Sequence, residues 1–184
     1  SFTMLKPEQV KQIKDWGGPE DLSASGSLLW DDNYLYLALE VTDNKHVQTD
    51  VLSDIWRGDG IQLAIDPARA VGIGSQGVHE FGFALAESQL TSWRWIAAYG
   101  KEIGELENIN YAISREGTKT TYEIAIPWSE LFQAGTEVKP GTLIGFSLLV
   151  NDNDGQGRRG WIEYMGGIGS SKDPYAFGDL ILCD

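Results

Sequence analysis

The stretch Asp31-Asp32-Asn33-Tyr34-Leu35-Tyr36-Leu37-Ala38-Leu39-Glu40-Val41 decides the fold class. A turn-forming acidic and amide cluster hands over to eight residues dominated by aromatic and aliphatic side chains, which suit a pleated surface. The next such run, Gly60-Ile61-Gln62-Leu63-Ala64-Ile65-Asp66, alternates apolar with polar or small residues and stops at Pro67. His79 to Leu85 repeats the period of two. Residues 91–98, 111–115, 120–127, 143–151, 161–164 and 177–183 continue the series. Gly72-Ile73-Gly74, Glu116-Gly117, Lys139-Pro140-Gly141 and the segment Asn151 to Gly157 punctuate it. Roughly ten short strands at hairpin spacing predict an all-β fold, a two-sheet antiparallel β-sandwich of jelly-roll or immunoglobulin-like type. One or two short helical turns are expected, within Pro7–Ile13 and Pro127–Phe132, and residues 1–26 read as an irregular lead-in.

The 184 residues suit one domain with one core, and no internal repeat or linker divides them. The net charge of −13 argues against a nucleic-acid partner, whose backbone requires Lys and Arg. No apolar run is long enough to cross a bilayer, so no membrane partner is expected. A monomer is expected. Cys183 is the sole cysteine and is expected as a buried strand residue rather than a nucleophile.

Catalytic signatures are missing from the sequence. The two histidines, His46 and His79, lie far apart, and no nucleophile elbow, phosphate loop or zinc-binding pair occurs. Carboxylates are abundant, so paired acids for glycoside hydrolysis carry no information by themselves. Asn151-Asp152-Asn153-Asp154-Gly155-Gln156-Gly157 offers closely spaced oxygen ligands on Gly turns, the chemistry a calcium ion requires. An ordinary turn is the alternative. Asp152 and Asp154 are the foremost candidate ligands, with Asp32 and Asp43 in similar but sparser clusters.

Seven tryptophans are many for this length, and a flat indole can stack on the apolar face of a sugar ring. Trp16, Trp30, Trp128 and Trp161 are expected in the core. Trp56 stands in the polar setting Asp54 to Asp59, where burial is not expected. Trp93 and Trp95 share a strand face opposite Arg94 and are expected to be core, with an exposed platform as the alternative.

These residues carry a resemblance. Leu29-Trp30-Asp31-Asp32-Asn33-Tyr34-Leu35-Tyr36 through Val41-Thr42-Asp43, and Trp56-Arg57-Gly58-Asp59-Gly60 through Asp66, are similar to family 9 carbohydrate-binding modules and the related DOMON-like domains. So are Tyr122 to Trp128, Ile144-Gly145-Phe146 with Val150-Asn151-Asp152, and Lys172-Asp173-Pro174 with Phe177-Gly178. The resemblance implies a secreted, non-catalytic module that binds polysaccharide or oligosaccharide, with structural calcium, linked to the catalytic domain of a glycoside hydrolase or polysaccharide lyase. It also implies a clamp of two tryptophans aided by a polar residue and an arginine. Trp56 matches the first tryptophan and Gln62 the polar partner, whereas Ser171 stands at the second tryptophan and Gly82 at the arginine. Candidates near such a site are therefore Trp56, Arg57, Gln62, Trp93, Trp95, Lys172 and Tyr175. Of these, Tyr175, Trp93 and Trp95 could supply the missing wall. Arg57, Arg158, Arg159 and Lys172 would suit an acidic polysaccharide. The alternative is a structural or interaction domain of a bacterial surface protein that has lost sugar binding. A haem role would need axial His or Met, and His46, His79, Met4 and Met165 show no arrangement for one.

Overall fold

In the computed structural model, residues 1–69 and 77–184 are described, so the expected Gly72–Gly74 turn lies outside them. The strands are β1 (Phe2–Met4), β2 (Val10–Lys11), β3 (Leu22–Trp30), β4 (Tyr34–Asp43), β5 (Gly60–Asp66) and β6 (His79–Ala86). They continue with β7 (Gln89–Ile96), β8 (Asn110–Glu116), β9 (Lys119–Pro127), β10 (Leu143–Asp152), β11 (Gly160–Glu163) and β12 (Gly178–Ile181). Among the described residues, helical structure is confined to one α-turn, α1 (Trp128–Leu131), and to short 3-10 segments such as Pro7–Gln9, Leu52–Arg57 and Pro174–Ala176. The all-β, two-sheet antiparallel expectation is what the chain adopts.

One sheet runs β1-β3-β4-β9-β8 and the other β2-β11-β10-β5-β6-β7. The long β10 pairs with β5 along one edge, while its other edge is shared by β11 near one end and β12 near the other. Leu35, Leu37, Leu39 and Val41 of β4, with Tyr122, Ile124 and Ile126 of β9, meet Ile61, Leu63, Ile65, Phe81, Phe83, Phe146, Leu148 and Val150 across the interior. Their period of two is the direct consequence of the pleat.

The lead-in is more ordered than expected. β1 pairs with β3, β2 pairs with β11, and β3 itself begins at Leu22. The Ser-Ala-Ser-Gly-Ser run at 23–27 hides β3, because its residues have low strand preference. Their smallness has a structural cause: a Cβ on Gly26 would come within 2.7 Å of the Phe2 ring and 2.9 Å of Leu39. Cys183 corrects a second expectation, since it lies one residue beyond buried Leu182 and is exposed.

β5 is buried on both faces. Ile61, Leu63 and Ile65 face the sandwich interior, so Gln62 and Ala64 face outward. There a second cluster of Ala64, Val78, Leu149, Trp161, Ile168 and Phe177 covers part of the outer face. A cleft remains open beside that cover.

Candidate functional site: a tryptophan-walled cleft

The cleft encloses about 550 Å³ and is lined by Trp56, Gln62, Glu80, Trp95, Arg158, Lys172 and the segment Ile168–Ser171. Its floor is a polar row running across three strands. Lys172 Nζ lies 2.6 and 2.7 Å from the two oxygens of Glu80, and Gln62 Nε2 donates to Glu80 Oε1 at 3.1 Å. Gln62 Oε1 then accepts from Asn151 Nδ2 at 3.3 Å, and Asn151 Oδ1 accepts from Arg158 Nε at 2.8 Å. Gln62 and Glu80 are 6% and 2% exposed, so burial holds the row rigid and the hydrogen bonds meet its desolvation cost.

Trp56 rises at one side on the 3-10 segment Leu52–Arg57. Neighbouring Ile55 is buried and anchors the segment, leaving the indole 37% exposed. Gln48 holds the loop from beneath, donating from Nε2 to the carbonyls of Ile55 and Asp59 at 2.8 and 2.9 Å. Gly58 is required there, because a Cβ would meet the Gln48 amide at 2.5 Å.

Trp95 supplies the second indole. Glu80 pairs with Ile96 and Phe81 with Arg94, which leaves Trp95 as the extra residue of a β-bulge. Its ring lies over Gly82, whose hypothetical Cβ would be 2.2 Å from the indole, and its Nε1 donates to Ser53 O at 2.9 Å. The residue standing where the resemblance implies an arginine is therefore glycine for a steric reason: Trp95 occupies the space.

The core expectation for Trp93 and Trp95 is inverted. Both are half-buried on the outer side. Arg94 is the buried one, 5.1 Å from the centroid of core Phe81 and paired to Glu130 at 2.6 Å. A paired guanidinium can lie inward, and this one displaces the tryptophans outward. Trp93 does not line the cleft, and Tyr175, 58% exposed on the Pro174–Ala176 turn, does not either. Arg57 stays outside as well, 5.4 Å from the Trp56 ring centroid and 3.3 Å from Asp54. Glu80 has no sequence signal beyond its outward place in a strand.

Trp128 and Trp161 are buried and Trp16 and Trp30 half-buried. Trp161 sits under the cleft wall rather than between the sheets, with Gly169 against its ring.

Behind the Trp56 loop lies an acidic cluster. Oxygens of Asp43 and Asp59 and a ring nitrogen of His46 lie within 4.8 Å of one another. Burial, reinforced by Asp43, pushes the Asp59 carboxyl up to about 9, and burial also raises Asp43. Arg115 Nη1 lies 3.8 Å from Asp43 Oδ2, and a hard divalent cation would relieve the remaining repulsion that keeps both carboxyls from ionising together. Of the four aspartates expected to bind metal, only Asp43 joins this group. Asp152 is pushed up to about 7 by burial but faces Arg159 Nη1 at 3.1 Å. The carboxylate of Asp154 also contacts Arg159, while its carbonyl accepts from Lys45 Nζ. Arg159 and Lys45 thus reach the loop at 151–157, while Asp152 Oδ1 and Asp154 Oδ1 are buried without a hydrogen-bond partner. Asp32 is exposed in the β3–β4 turn and belongs to no such group among the described residues.

The family described as carbohydrate family 9 binding domain-like matches residues 3–184. The chain is 28% identical over 170 residues to exoglucanase XynX of Acetivibrio thermocellus, covering 90% of this chain and 14% of that one. It is 26% identical over 170 residues to endo-1,4-beta-xylanase A of Thermoanaerobacterium saccharolyticum, covering 90% and 13%. The chain therefore spans only about a seventh of the length of these relatives. A carbohydrate-binding module of family 9 from Caldicellulosiruptor kristjanssonii, solved with cellotriose, superposes with a TM-score of 0.67 at 18% identity. That superposition covers 99% of this chain and 82% of that one and establishes a shared fold. The family match spans nearly the whole chain and the sandwich superposes on a solved member, and the chain belongs to the family 9 carbohydrate-binding domains.

Proposed function

We propose that this domain is a non-catalytic carbohydrate-binding module that retains a secreted polysaccharide-degrading enzyme on its glycan. The observation that carries the reading is the pairing of two accessible indoles, Trp56 and Trp95, over the buried polar floor of Gln62, Glu80 and Asn151. Indoles take the C–H faces of sugar rings, and Gln62, Glu80 and Lys172, which line the cleft, are placed to orient hydroxyls. The exposure of Trp56 disfavours the alternative of a purely structural domain, in which the indole would be expected to be buried. Asp43 and Asp59, with His46, would hold a divalent cation. Such an ion would supply the positive charge needed to steady the loop that carries Trp56. Weak contacts of this kind gain retention by avidity with a linked catalytic domain.

Titration of the isolated domain with cello- and xylo-oligosaccharides by calorimetry tests the reading. Saturable binding, weakened in Trp56→Ala and Trp95→Ala, is expected, with no reducing sugar released. Absence of binding to any glycan across an array would overturn it.

A further inference from the structure

The charges lining the cleft do not cancel. Glu80 is neutralised by Lys172, which leaves Arg158 as the remaining charged group of the lining. Five of the six arginines have a carboxylate partner: Arg57 with Asp54, Arg69 with Asp179, Arg94 with Glu130, Arg115 with Asp43, and Arg159 with four aspartates. Arg158 has none among the described residues, and the undescribed residues 70–76 contain no acid. Its Nε is engaged by Asn151, whereas Nη2 is buried without an acceptor. The guanidinium carbon lies 4.5 Å from the Trp161 ring centroid and 5.8 Å from that of Trp56. Stacking on indoles attracts the charge but accepts no N–H. Burial pushes the Arg158 pKa down to about 10, the mark of a cation taken from water without an anion in exchange.

Resting on the sugar-binding reading, we propose that the cleft selects an acidic glycan, placing a uronic acid carboxylate against Arg158 while a ring stacks on Trp56. Guanidinium and carboxylate match in charge and in planar geometry. The carboxylate carbon of a uronate is attached directly to the ring, so it stays close to a ring stacked on Trp56, within reach of a guanidinium 5.8 Å from that indole. A sulfate carried on an ester oxygen projects farther. Lys172 adds no free charge, being held by Glu80. The chain's overall charge of −13 opposes an acidic polymer at long range, but screening at physiological salt confines that repulsion to about 8 Å.

The test titrates the intact domain by calorimetry at physiological salt, where the long-range repulsion is screened, with three ligands of one backbone: cellotriose, its C6-oxidised triuronate and a sulfated cellotriose. The triuronate should bind at least about tenfold more tightly than cellotriose, from one charge-assisted hydrogen-bonded pair. In Arg158→Met, and less so in Arg158→Lys, that ratio should fall toward one, with thermal melting showing that each variant is folded. Equal binding of the neutral and oxidised trisaccharides by the wild type, or preference for the neutral one, overturns the inference and leaves the sugar-binding reading standing. A uronate preference that survives in Arg158→Met overturns the role of Arg158. Tighter binding of the sulfated ligand overturns the choice of carboxylate. Binding of none of the three, nor of any glycan on an array, overturns the sugar-binding reading itself.

Discussion

Gly82→Ala is a one-atom test of how the second cleft wall is built. The new Cβ would lie 2.2 Å from Trp95 Cη2, 2.5 Å from Cζ3 and 3.0 Å from Ile55 Cδ1. That is about 1.2 Å inside the shortest ordinary contact for the indole. Trp95 must move, because the opposing atom sits on a central strand paired on both sides. Overpacking costs about 1–3 kcal/mol and loss of the Trp95 Nε1–Ser53 bond about 1 kcal/mol. Replacing glycine in a strand returns about 0.5–1 kcal/mol. A net destabilisation of about 1–3 kcal/mol follows, and at roughly 2–4 °C per kcal/mol for a domain of this size the melting temperature should drop measurably in calorimetry. Glycan affinity should fall about two- to tenfold as the indole leaves its place. In a Trp95→Ala background the same substitution should cost much less, since only the 3.0 Å contact with Ile55 Cδ1 remains; the cycle isolates that coupling. An equal loss in both backgrounds, or no loss in the first, would refute the packing of Trp95 on Gly82.

Trp56→Ala should weaken glycan binding by roughly 1–3 kcal/mol while lowering the melting temperature little, because the loop is anchored through Ile55 and Gln48; a large stability loss would place Trp56 in the core instead. Calcium added to chelated protein should raise the melting temperature by mass action, and Asp59→Asn should abolish the rise; elemental analysis showing no metal after dialysis against calcium would contradict this. His79 is buried, accepts at Nδ1 from Ala98 N and reaches Leu131 O with Nε2, so the neutral ring satisfies both contacts. Burial, with Arg94 nearby, pushes its pKa down to about 4. Below its ordinary value of 6.5 the unfolded chain takes up a proton that the native ring refuses, so this contribution is lost as pH falls toward 4. Urea denaturation should record the loss at about 1.4 kcal/mol per pH unit, and His79→Gln should flatten that limb.

The strands from Tyr34 onward could be read from sequence because each has its buried partner two residues away, and that local period survives any tertiary arrangement. Gly60–Asp66 has the boundaries the alternation predicts. The polar setting of Trp56 was likewise local, and so was its exposure. β1, β2 and β3 were not legible, since two are very short and the third is built of small residues chosen by Phe2 and Leu39, distant in sequence.

The second wall depended on a bulge, and a bulge is a property of a strand pair, not of one strand. Period-two reading placed Trp93 and Trp95 inward; Arg94, drawn in and paired to Glu130, puts Trp93 outward opposite Gly82, and the shift between Glu80 and Phe81 leaves Trp95 as the bulged residue over that glycine. The same holds for charge. A sequence counts arginines and aspartates, but only the folded chain decides that Arg159 pairs with the acidic loop and that Arg158, its neighbour, meets no carboxylate. Hydrophobic alternation is written along the chain and so fixes the sandwich. Charge pairing and steric exclusion act between residues far apart in sequence, and only the tertiary structure could settle which side chains the cleft presents.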